Sequence, residues 1–306
     1  MKYEIIEKNN KINITIFKNE EKVAKATCYY INTPKVDEKN IGTIGDLEIN
    51  DKEIGIELLK KCEDKLSEKN INKIVTPMNG NTWKQYRTLK YTNGEDLFLL
   101  ENINPIEYNE IFKEAGYKEI NTYTSTKGKI SDFYNSEILN IIEEEIKEEN
   151  IKIRKFNKRK YLNDLEKIYN ISIKSFSRNP FYTDINKKEF IEQYDKYINY
   201  IDEDFVYIAE KEEREIGFVF CIPNLNELKT KGKIDTLILK TIAVLPEYEE
   251  YGIGNLMVKK IAKKAMEKGF ENWIFAFMHN KNTSQKMAKR NNTKLLREYA
   301  LYGKEI

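Results

Sequence analysis

The sequence contains few of the residues that most often build metal and redox sites. Its 306 residues include three cysteines, Cys28, Cys62 and Cys221, which are far apart and share no metal-binding spacing. An odd number of scattered cysteines favours a reduced, cytosolic protein over a disulfide framework. The single histidine, His279, excludes sites that need several imidazoles. A carboxylate-bound Mg²⁺ stays open, but we assign no residue as a metal ligand.

Neither one sign of charge nor a long apolar run dominates the chain. The 52 basic and 50 acidic side chains leave a net charge of +2, which predicts no general attraction to nucleic acid. No apolar run reaches the roughly 18 residues that cross a membrane, and the start "MKYEIIEKNN" is not a signal peptide. We therefore expect a cytoplasmic protein without a nucleic-acid or membrane partner, and its oligomeric state stays open.

Apolar periodicity predicts a globular chain of mixed strands and helices, long enough for two domains. The first half has strand patterns at 11–19, 21–31, 44–49, 72–78 and 118–125, and helix patterns at 54–70 and 105–116. A charged helical stretch at 127–150 is interpreted as a connector. In the second half, strands are predicted at 151–157, 205–212, 214–223, 236–245, 272–278 and 294–302, and helices at 159–176, 186–198, 255–269 and 283–290.

The two halves resemble each other. "EKNINKIV" (68–75) matches "EKGFENWI" (267–274) at an offset of 199, and residues 104–123 match 280–299 at an offset of 176. The difference of 23 residues predicts an insertion in the first half, "NGNTWKQYRTLKYTNGEDLFLLE". A tandem duplication explains this pattern. We predict one domain at 1–126, a helical linker at 127–150 and a second domain at 151–306.

The stretch "LPEYEEYGIGNLM" (245–257) has glycines at Gly252 and Gly254, where a helix is predicted to begin. Unobstructed amides at a helix start are typical of phosphate sites. A P-loop is excluded because Asn255 and Leu256 stand where Lys and Ser or Thr are required. A dinucleotide fingerprint is excluded because Met257 occupies the place of its third small residue. A tight turn without a ligand remains the alternative.

In its order of elements, the segment 151–306 resembles the GNAT superfamily of acyl-CoA-dependent N-acyltransferases. The family loop reads Arg/Gln-x-x-Gly-x-Gly/Ala, and "EYGIG" fills its last five places. "TIAVLPEY" and "HNKNTSQ" are also similar to GNAT sequences, and the whole chain resembles a tandem-GNAT group of bacterial proteins. The resemblance implies an α/β (α+β) fold with two GNAT-like domains in tandem. Each would be a mixed, mostly antiparallel sheet flanked by helices, with splayed central strands.

The resemblance also implies a binding site for acetyl-CoA as co-substrate. Backbone amides of the glycine loop would hold the pyrophosphate, and the pantetheine arm would fill the gap between the splayed strands. An asparagine after the later strand would contact the cofactor. The residues implied are Ile242, Ala243, Val244, Glu250, Tyr251, Gly252, Ile253, Gly254, Asn255 and Asn282.

The catalytic residues are less well marked. Glu249 stands where the family has Arg or Gln, and Ala288 stands where many members have a tyrosine acid. His279 follows a strand at its open end, so it is a candidate base or water relay. Tyr302 and Tyr299 are substitute acids by proximity only. Ordinary packing is the alternative for all three side chains.

The segment "SFSRNPFYTDI" (175–185) matches one wall of the acceptor pocket in GNAT proteins. Arg178 is a candidate partner for an acceptor carboxylate, and the aromatic residues of this segment are candidates for an apolar wall. A packed proline turn is the alternative.

The first half lacks the loop that binds the cofactor. When Val244 is matched with Ile49 and Gly254 with Gly55, five residues separate the first-half pair, compared with nine in the second half. Glu53 replaces the first glycine, so we expect a degenerate, catalytically silent domain. Its insertion is expected to pack on the second half and complete the acceptor site, through Trp83, Tyr86, Arg87, Tyr91 and Phe98.

Two functions follow from this interpretation. The first is an N-acetyltransferase that moves an acetyl group from acetyl-CoA to a primary amine of a small molecule or peptide, by direct attack in a ternary complex. The alternative is a CoA-binding or scaffold protein that has lost catalysis.

Overall fold

The computed structural model describes residues 1–101, 103–134, 138–195 and 198–306. Its first half opens with an antiparallel meander in which side chains alternate between the core and solvent, as on the second strand, where Ile12, Ile14 and Ile16 are buried. The elements of this half are β1 (Lys2–Lys8), β2 (Lys11–Lys18), β3 (Glu21–Tyr29), β4 (Lys35–Val36), β5 (Lys39–Asn40), β6 (Gly42–Ile49), α1 (Lys52–Ser67), β7 (Lys73–Thr76), β8 (Thr88–Thr92), α2 (Tyr108–Glu114) and β9 (Lys118–Lys129).

Two connector helices lead into a second half that ends, like the first apart from its extra strand β8, in the order strand, helix, strand, helix, strand. The predicted linker at 127–150 begins inside a strand, because β9 continues to Lys129. The further elements are α3 (Ile130–Tyr134), α4 (Ile138–Glu148), β10 (Ile151–Lys155), α5 (Tyr161–Phe176), α6 (Lys187–Asp195), β11 (Val206–Lys211), β12 (Arg214–Pro223), α7 (Glu227–Lys231), β13 (Thr236–Val244), α8 (Ile253–Glu267), β14 (Asn272–His279), α9 (Ser284–Arg290) and β15 (Lys294–Glu305).

A mixed sheet of 13 strands runs through both halves of the described chain. Its order is β1-β2-β3-β6-β7-β15-β9-β14-β13-β12-β11-β10, with β8 paired to β15. Within the described ranges, only β6/β7 and β13/β14 are parallel, and the other pairs are antiparallel. The predicted class, a mostly antiparallel α/β sheet flanked by helices, is confirmed.

The two halves exchange their last strands. β9 of the first half pairs with β14, and β15 of the second half pairs with β7. β9 and β15 also pair with each other. The sheet is therefore continuous across the predicted domain boundary, and each half contributes a strand to the other.

The internal repeat found in the sequence reappears in the elements. α2 and α9 begin at 108 and 284, and β9 and β15 begin at 118 and 294, so both pairs are 176 residues apart. β7 and β14 begin at 73 and 272, which is the second predicted offset of 199. The inserted residues lie between β7 and α2, as predicted.

Three further features of the described ranges concern membrane-spanning helices, metal sites and disulfides. The helices found there are too short or too polar to span a membrane, and no cluster of three or more metal-ligating side chains occurs there. Cys28, Cys62 and Cys221 are buried free thiols.

Candidate functional site

The parallel strands β13 and β14 separate part-way along their length. They pair from Thr236 with Asn272 to Leu239 with Phe275, and beyond these residues they no longer pair with each other. On β13, Lys240 is the extra residue of a bulge, because Thr241 pairs with Phe220 while Leu239 pairs with Cys221. Since bulges bend a strand, the bulge contributes to the separation. The result is a V-shaped gap in the middle of the sheet.

The facing strand is also irregular where the gap opens. The register between β14 and β9 shifts between Phe275 and Met278. At Phe277 the backbone has a φ of +56°, and its N–H donates to Ser125 Oγ at 3.2 Å. Ser125 belongs to the first half, so the exchanged strand helps to hold the gap open.

The gap opens into a cavity of about 1040 Å³. Part of its wall comes from β13 and β14, at residues 239–242 and 275–279. α5 and the loop after it add Phe176 and Tyr182, and the inserted segment of the first half adds residues 82–87. Both halves therefore form the wall.

The inserted segment is fixed to the second half by specific contacts. The Trp83 ring packs edge-on against Phe176 and Phe190, and its Nε1 donates to the Thr183 carbonyl at 2.7 Å. Trp83, Tyr86 and Arg87 line the cavity. Phe98 is buried in a cluster with second-half residues. Tyr91 pairs with Glu298 of the second half, as predicted, but it is 44% exposed and is not part of the cavity wall.

Arg297 of β15 anchors the far end of the insertion. Its side chain is 1% exposed, and its Nη1 donates to Asn93 Oδ1 at 3.0 Å. Its Nη2 donates to the Asp96 carbonyl at 3.1 Å, and its Nε lies 3.3 Å from Glu101 Oε1. The Tyr299 hydroxyl also donates to Glu101, whose pKa burial raises. One buried guanidinium thus holds three points of the inserted loop.

The glycine loop leads from β13 into α8. Residues Pro246–Tyr251 form a 3-10 turn, and Gly252 then adopts a φ of +69°, which glycine tolerates without strain. The amides of Asn255 and Leu256 bond to the Gly252 carbonyl at 3.0 and 3.3 Å. The first helical amides, on Ile253 and Gly254, have no acceptor within a helix. They are therefore available to an anion.

Gly254 is required for packing as well as for access. An added Cβ there would lie 3.0 Å from Ile242 Cδ1, so glycine lets the start of α8 approach β13 closely. The free amides are thereby held next to the strand that forms one side of the gap.

Two of the three acidic residues of this loop have cationic partners. Glu249 pairs with Arg178 at 2.5 Å, and Glu247 pairs with Arg214 at 2.9 Å. The pairs are exposed and add little stability, but they offset charge that would repel a phosphate. Arg178 is paired with Glu249 and does not line the cavity, so its contact with an acceptor carboxylate stays a prediction.

Comparison with known proteins gives a family match for the segment that holds the gap and the loop. The segment 165–291, which contains the gap and the loop, matches the profile of the acetyltransferase (GNAT) family. This matched segment covers less than half of the chain, and over it the chain is similar to GNAT acetyltransferases. A comparison with curated protein sequences gives no match.

Solved structures share the GNAT fold with this chain. The GCN5-related glucosamine N-acetyltransferase region of a fungal multi-domain GH3 β-N-acetylglucosaminidase matches with a TM-score of 0.60 at 13% identity, over 96% of this chain and 33% of that one. A GCN5-related N-acetyltransferase from Sphaerobacter thermophilus matches with a TM-score of 0.53 at 11% identity, over 97% and 80%.

A tandem GNAT protein is among the solved structures with a similar fold. The tandem GNAT protein from the clavulanic acid biosynthesis pathway, solved without AcCoA, matches with a TM-score of 0.55 at 6% identity, over 96% of this chain and 82% of that one. At these identities the likeness shows the fold alone. This chain spans about a third of the fungal protein and about four fifths of the other two.

Some predicted cofactor residues of the GNAT domain line the cavity and others lie beside it. Ile242 and Asn282 are on the cavity wall, and Asn282 is exposed. Ala243 and Val244 continue β13 past the point where β14 leaves it. The predicted loop residues, 250–255, lie at the start of α8 outside the wall.

Tyr302 lies away from the GNAT cavity. It is 1% exposed in the first-half core, its ring centroid lies 5.2 Å from that of Phe112, and its hydroxyl donates to Asn109 Oδ1 at 2.9 Å. The exchange of β15 carries this side chain into the other half. This placement corrects the expectation that Tyr302 is a catalytic acid. Tyr299 lines the cavity, but its hydroxyl bonds to Glu101.

His279 lines the cavity in a form that donates a proton. Its Nδ1 accepts from the Lys281 N–H at 3.2 Å. Burial lowers the pKa of His279, and the charges of Lys281 and Arg87 lower it further, so the ring is neutral near pH 7. A neutral imidazole that accepts at Nδ1 carries its proton on Nε2. His279 therefore carries its proton on Nε2, and its role as a base or water relay stays a prediction.

Lys240 was missed by the sequence reasoning. Its signal was a lone lysine inside the apolar run "TLILKTIAV" (236–244). The Nζ lies 4.4 Å from the centroid of the Phe277 ring, on the cavity wall. Burial, and then repulsion by Arg87, lowers the pKa of Lys240 to about 7.

This pKa predicts that Lys240→Met raises the melting temperature at low pH. The folded pKa lies below the ordinary value of 10.5, so the unfolded chain binds more protons between about pH 7 and 10.5. Lys240 is therefore most destabilising below pH 7, and the gain in the variant should shrink as the pH rises. Thermal melts at pH 6, 8 and 9.5 measure it. The matched control is Lys84→Met, at a lysine of the cavity wall that is paired with Glu189. Its effect on the melting temperature should not change with pH in this way.

The equivalent gap in the first half is closed by the chain itself. Past the β6/β7 pairing, the Met78 N–H donates to the Ile44 carbonyl and the Asp46 N–H donates to Asn79 Oδ1, both at 2.8 Å. At the start of α1, the Asp51 carboxylate accepts from the Ile54 N–H at 3.0 Å. Protein groups therefore fill both positions that a cofactor would occupy.

Proposed function

We propose that this chain is an N-acyltransferase that moves an acetyl group from acetyl-CoA to a primary amine of a small molecule or peptide. The observation that carries the proposal is the separation of β13 and β14 after Leu239 and Phe275, beside the free amides of α8 and over a large cavity. The first half is proposed to be a silent GNAT-like domain that completes the cavity wall.

The residues around the gap suit acetyl-CoA. The amides of Ile253 and Gly254, at the positive end of α8, would hold the pyrophosphate. On the side facing the gap, β13 past Leu239 has no pairing with β14. This edge would bond to the amides of the pantetheine arm as an added strand does. Asn282, exposed on the wall, would contact the arm.

The proposed chemistry is direct attack within a ternary complex. The amine nitrogen attacks the thioester carbonyl, the C–S bond breaks, and the thiolate of CoA leaves while the amine loses a proton. A β13 amide would polarise the carbonyl. The cysteines make poor acyl carriers because all three are buried, and burial raises the pKa of Cys221 and Cys62. Thiol release with a panel of amines tests transfer, and calorimetry with CoA tests binding.

The alternative, a CoA-binding protein without catalysis, differs in one outcome. It predicts heat of binding with CoA but no amine-stimulated thiol release across the panel. If neither CoA binding nor thiol release is observed, both proposed functions are contradicted.

We predict that Asn255→Asp weakens CoA binding about tenfold without destabilising the protein. Asn255 is the third residue of α8, where a carboxylate favours the helix dipole but repels a pyrophosphate at the same amides. The melting temperature without ligand should hold or rise, while the shift caused by acetyl-CoA shrinks. The matched control is Asn163→Asp, an exposed third residue of α5 outside the cavity. Equal ligand shifts in both variants would place the pyrophosphate elsewhere.

A further inference from the structure

The cavity wall has more basic side chains than carboxylates to pair with them. Its carboxylates have lysine partners, since Glu189 lies 4.0 Å from Lys84 and Glu192 lies 3.9 Å from Lys188. Three basic side chains on the same wall have no carboxylate within ion-pair distance among the residues described. This basic cluster consists of Arg87, Lys240 and His279.

The basic cluster contains buried donors without acceptors. Arg87 Nε and Nη1 and His279 Nε2 are inaccessible to solvent and form no hydrogen bond to any described part of the chain. Buried polar groups in proteins are nearly always paired, and leaving one unpaired is costly. These unpaired donors make this part of the wall electropositive, and a ligand atom would bond to them directly only after the neighbouring side chains shift.

Aromatic rings hold the two cations of the cluster close together. The Arg87 guanidinium carbon lies 3.9 Å from the Tyr86 ring centroid, 4.6 Å from that of Tyr123 and 4.5 Å from that of Phe277. Lys240 Nζ lies over the same Phe277 ring. The rings offset part of the charge but accept no conventional hydrogen bond. Because the two cations repel each other, an anion beside them would stabilise both.

We propose that the basic cluster binds the carboxylate of the acceptor, so that the substrate is a small amine bearing a carboxylate, of the amino-acid class. This inference rests on the proposed function. Arg87 supplies a planar group suited to a carboxylate, while Lys240 and His279 supply single donors. Lys240 directly follows the last β13 residue paired with β14, so the carboxylate lies beside the gap proposed for the thioester. Few bonds therefore separate the carboxylate and the reacting amine.

The first experiment compares acceptors that differ in the group at the position of the carboxylate. Each α-amino acid is assayed beside its amide and its decarboxylated amine, and phosphoethanolamine is assayed beside β-alanine. We expect kcat/KM to favour the carboxylate by about 100-fold, because a site built for a polar group rejects analogues that lack it. A preference for phosphoethanolamine over β-alanine would overturn the assignment to a carboxylate.

Variants of the cluster separate binding from proton transfer. Arg87→Gln and Lys240→Gln should each raise KM for the carboxylate acceptor at least tenfold and leave the amide unchanged, while Arg87→Lys recovers part of the loss. The control Lys84→Gln, at a paired lysine on the same wall, should keep the preference. An equal loss of kcat on carboxylate and amide acceptors in Lys240→Gln would make Lys240 a base and overturn its assignment.

Calorimetry tests the site without turnover. N-acetyl amino acids and their amides are titrated into the full chain without CoA, at pH 7 in buffers of different ionisation enthalpy. The acid should bind at least tenfold more tightly and take up protons, since an anion raises the pKa of Lys240. Lys240→Gln should abolish the uptake. If the acid binds more tightly but no amine is acetylated, the proposed function is wrong and the carboxylate site stands. If acid and amide bind equally, the carboxylate site is wrong, whether or not the protein is catalytically active.

Discussion

Arg297→Leu is expected to lower the free energy of unfolding by about 3–5 kcal/mol, because it leaves a buried carboxylate without its charged partner. Glu101 is buried with Arg297, and two backbone carbonyls of residues 95 and 96 lose their donor at the same time. The loop at 93–101 would then lose its anchor on β15. Urea unfolding measures the change.

Two comparisons make this result specific. Arg290→Leu removes an exposed arginine of α9, and it should change stability by less than about 0.5 kcal/mol. The double change Arg297→Met with Glu101→Leu should recover much of the loss, since apolar replacement of a buried pair is often neutral. If Arg297→Leu costs less than about 1 kcal/mol, the anchor is unimportant.

Separation of the two halves is expected to abolish the cooperative fold. A fragment 130–306 lacks β9, which pairs with β14 on one side and β15 on the other. Both strands would then have unpaired edges, which favour aggregation. A fragment 1–129 likewise lacks β15, the partner of β7. We expect neither fragment alone to be a monomer with a thermal transition, and co-expression to restore a complex that responds to acetyl-CoA.

The control is removal of residues 1–9, which takes away β1. No residue of this edge strand is buried, and the strand pairs only with β2 among the described strands, so its loss should be tolerated. A monomeric fragment 130–306 with the full response to acetyl-CoA would contradict the exchanged arrangement.

Local periodicity was enough to locate most elements. The predicted strand at 72–78 and helix at 105–116 contain β7 and α2, because spacings of two and 3.6 residues are properties of the chain itself. β8, at Thr88–Thr92 inside the insertion, was missed. It pairs with β15 through a bulge, and its sequence has no alternating pattern that would reveal it.

The loop and its helix could also be recognised before the tertiary structure was known. Gly252 and Gly254 mark a backbone that requires a positive φ and a close approach, and both requirements are local. The partner of Glu249 was not predictable, because Arg178 is 71 residues away in sequence. A side chain in the loop can point to solvent, to the ligand or to a partner, and only packing selects among them.

The sequence by itself determined the strands, helices and duplication, because periodicity and repeats are recorded along the chain. Only the tertiary structure decided which strands pair across the middle of the sheet. β9 and β15 occupy equivalent places in the repeat. The sequence pattern therefore does not show whether each strand pairs within its own half or with the other half. That choice places Tyr302 in the first-half core and Tyr299 on the cavity. It also brings Arg87 beside Lys240, 153 positions later, because long-range pairing has no local signal.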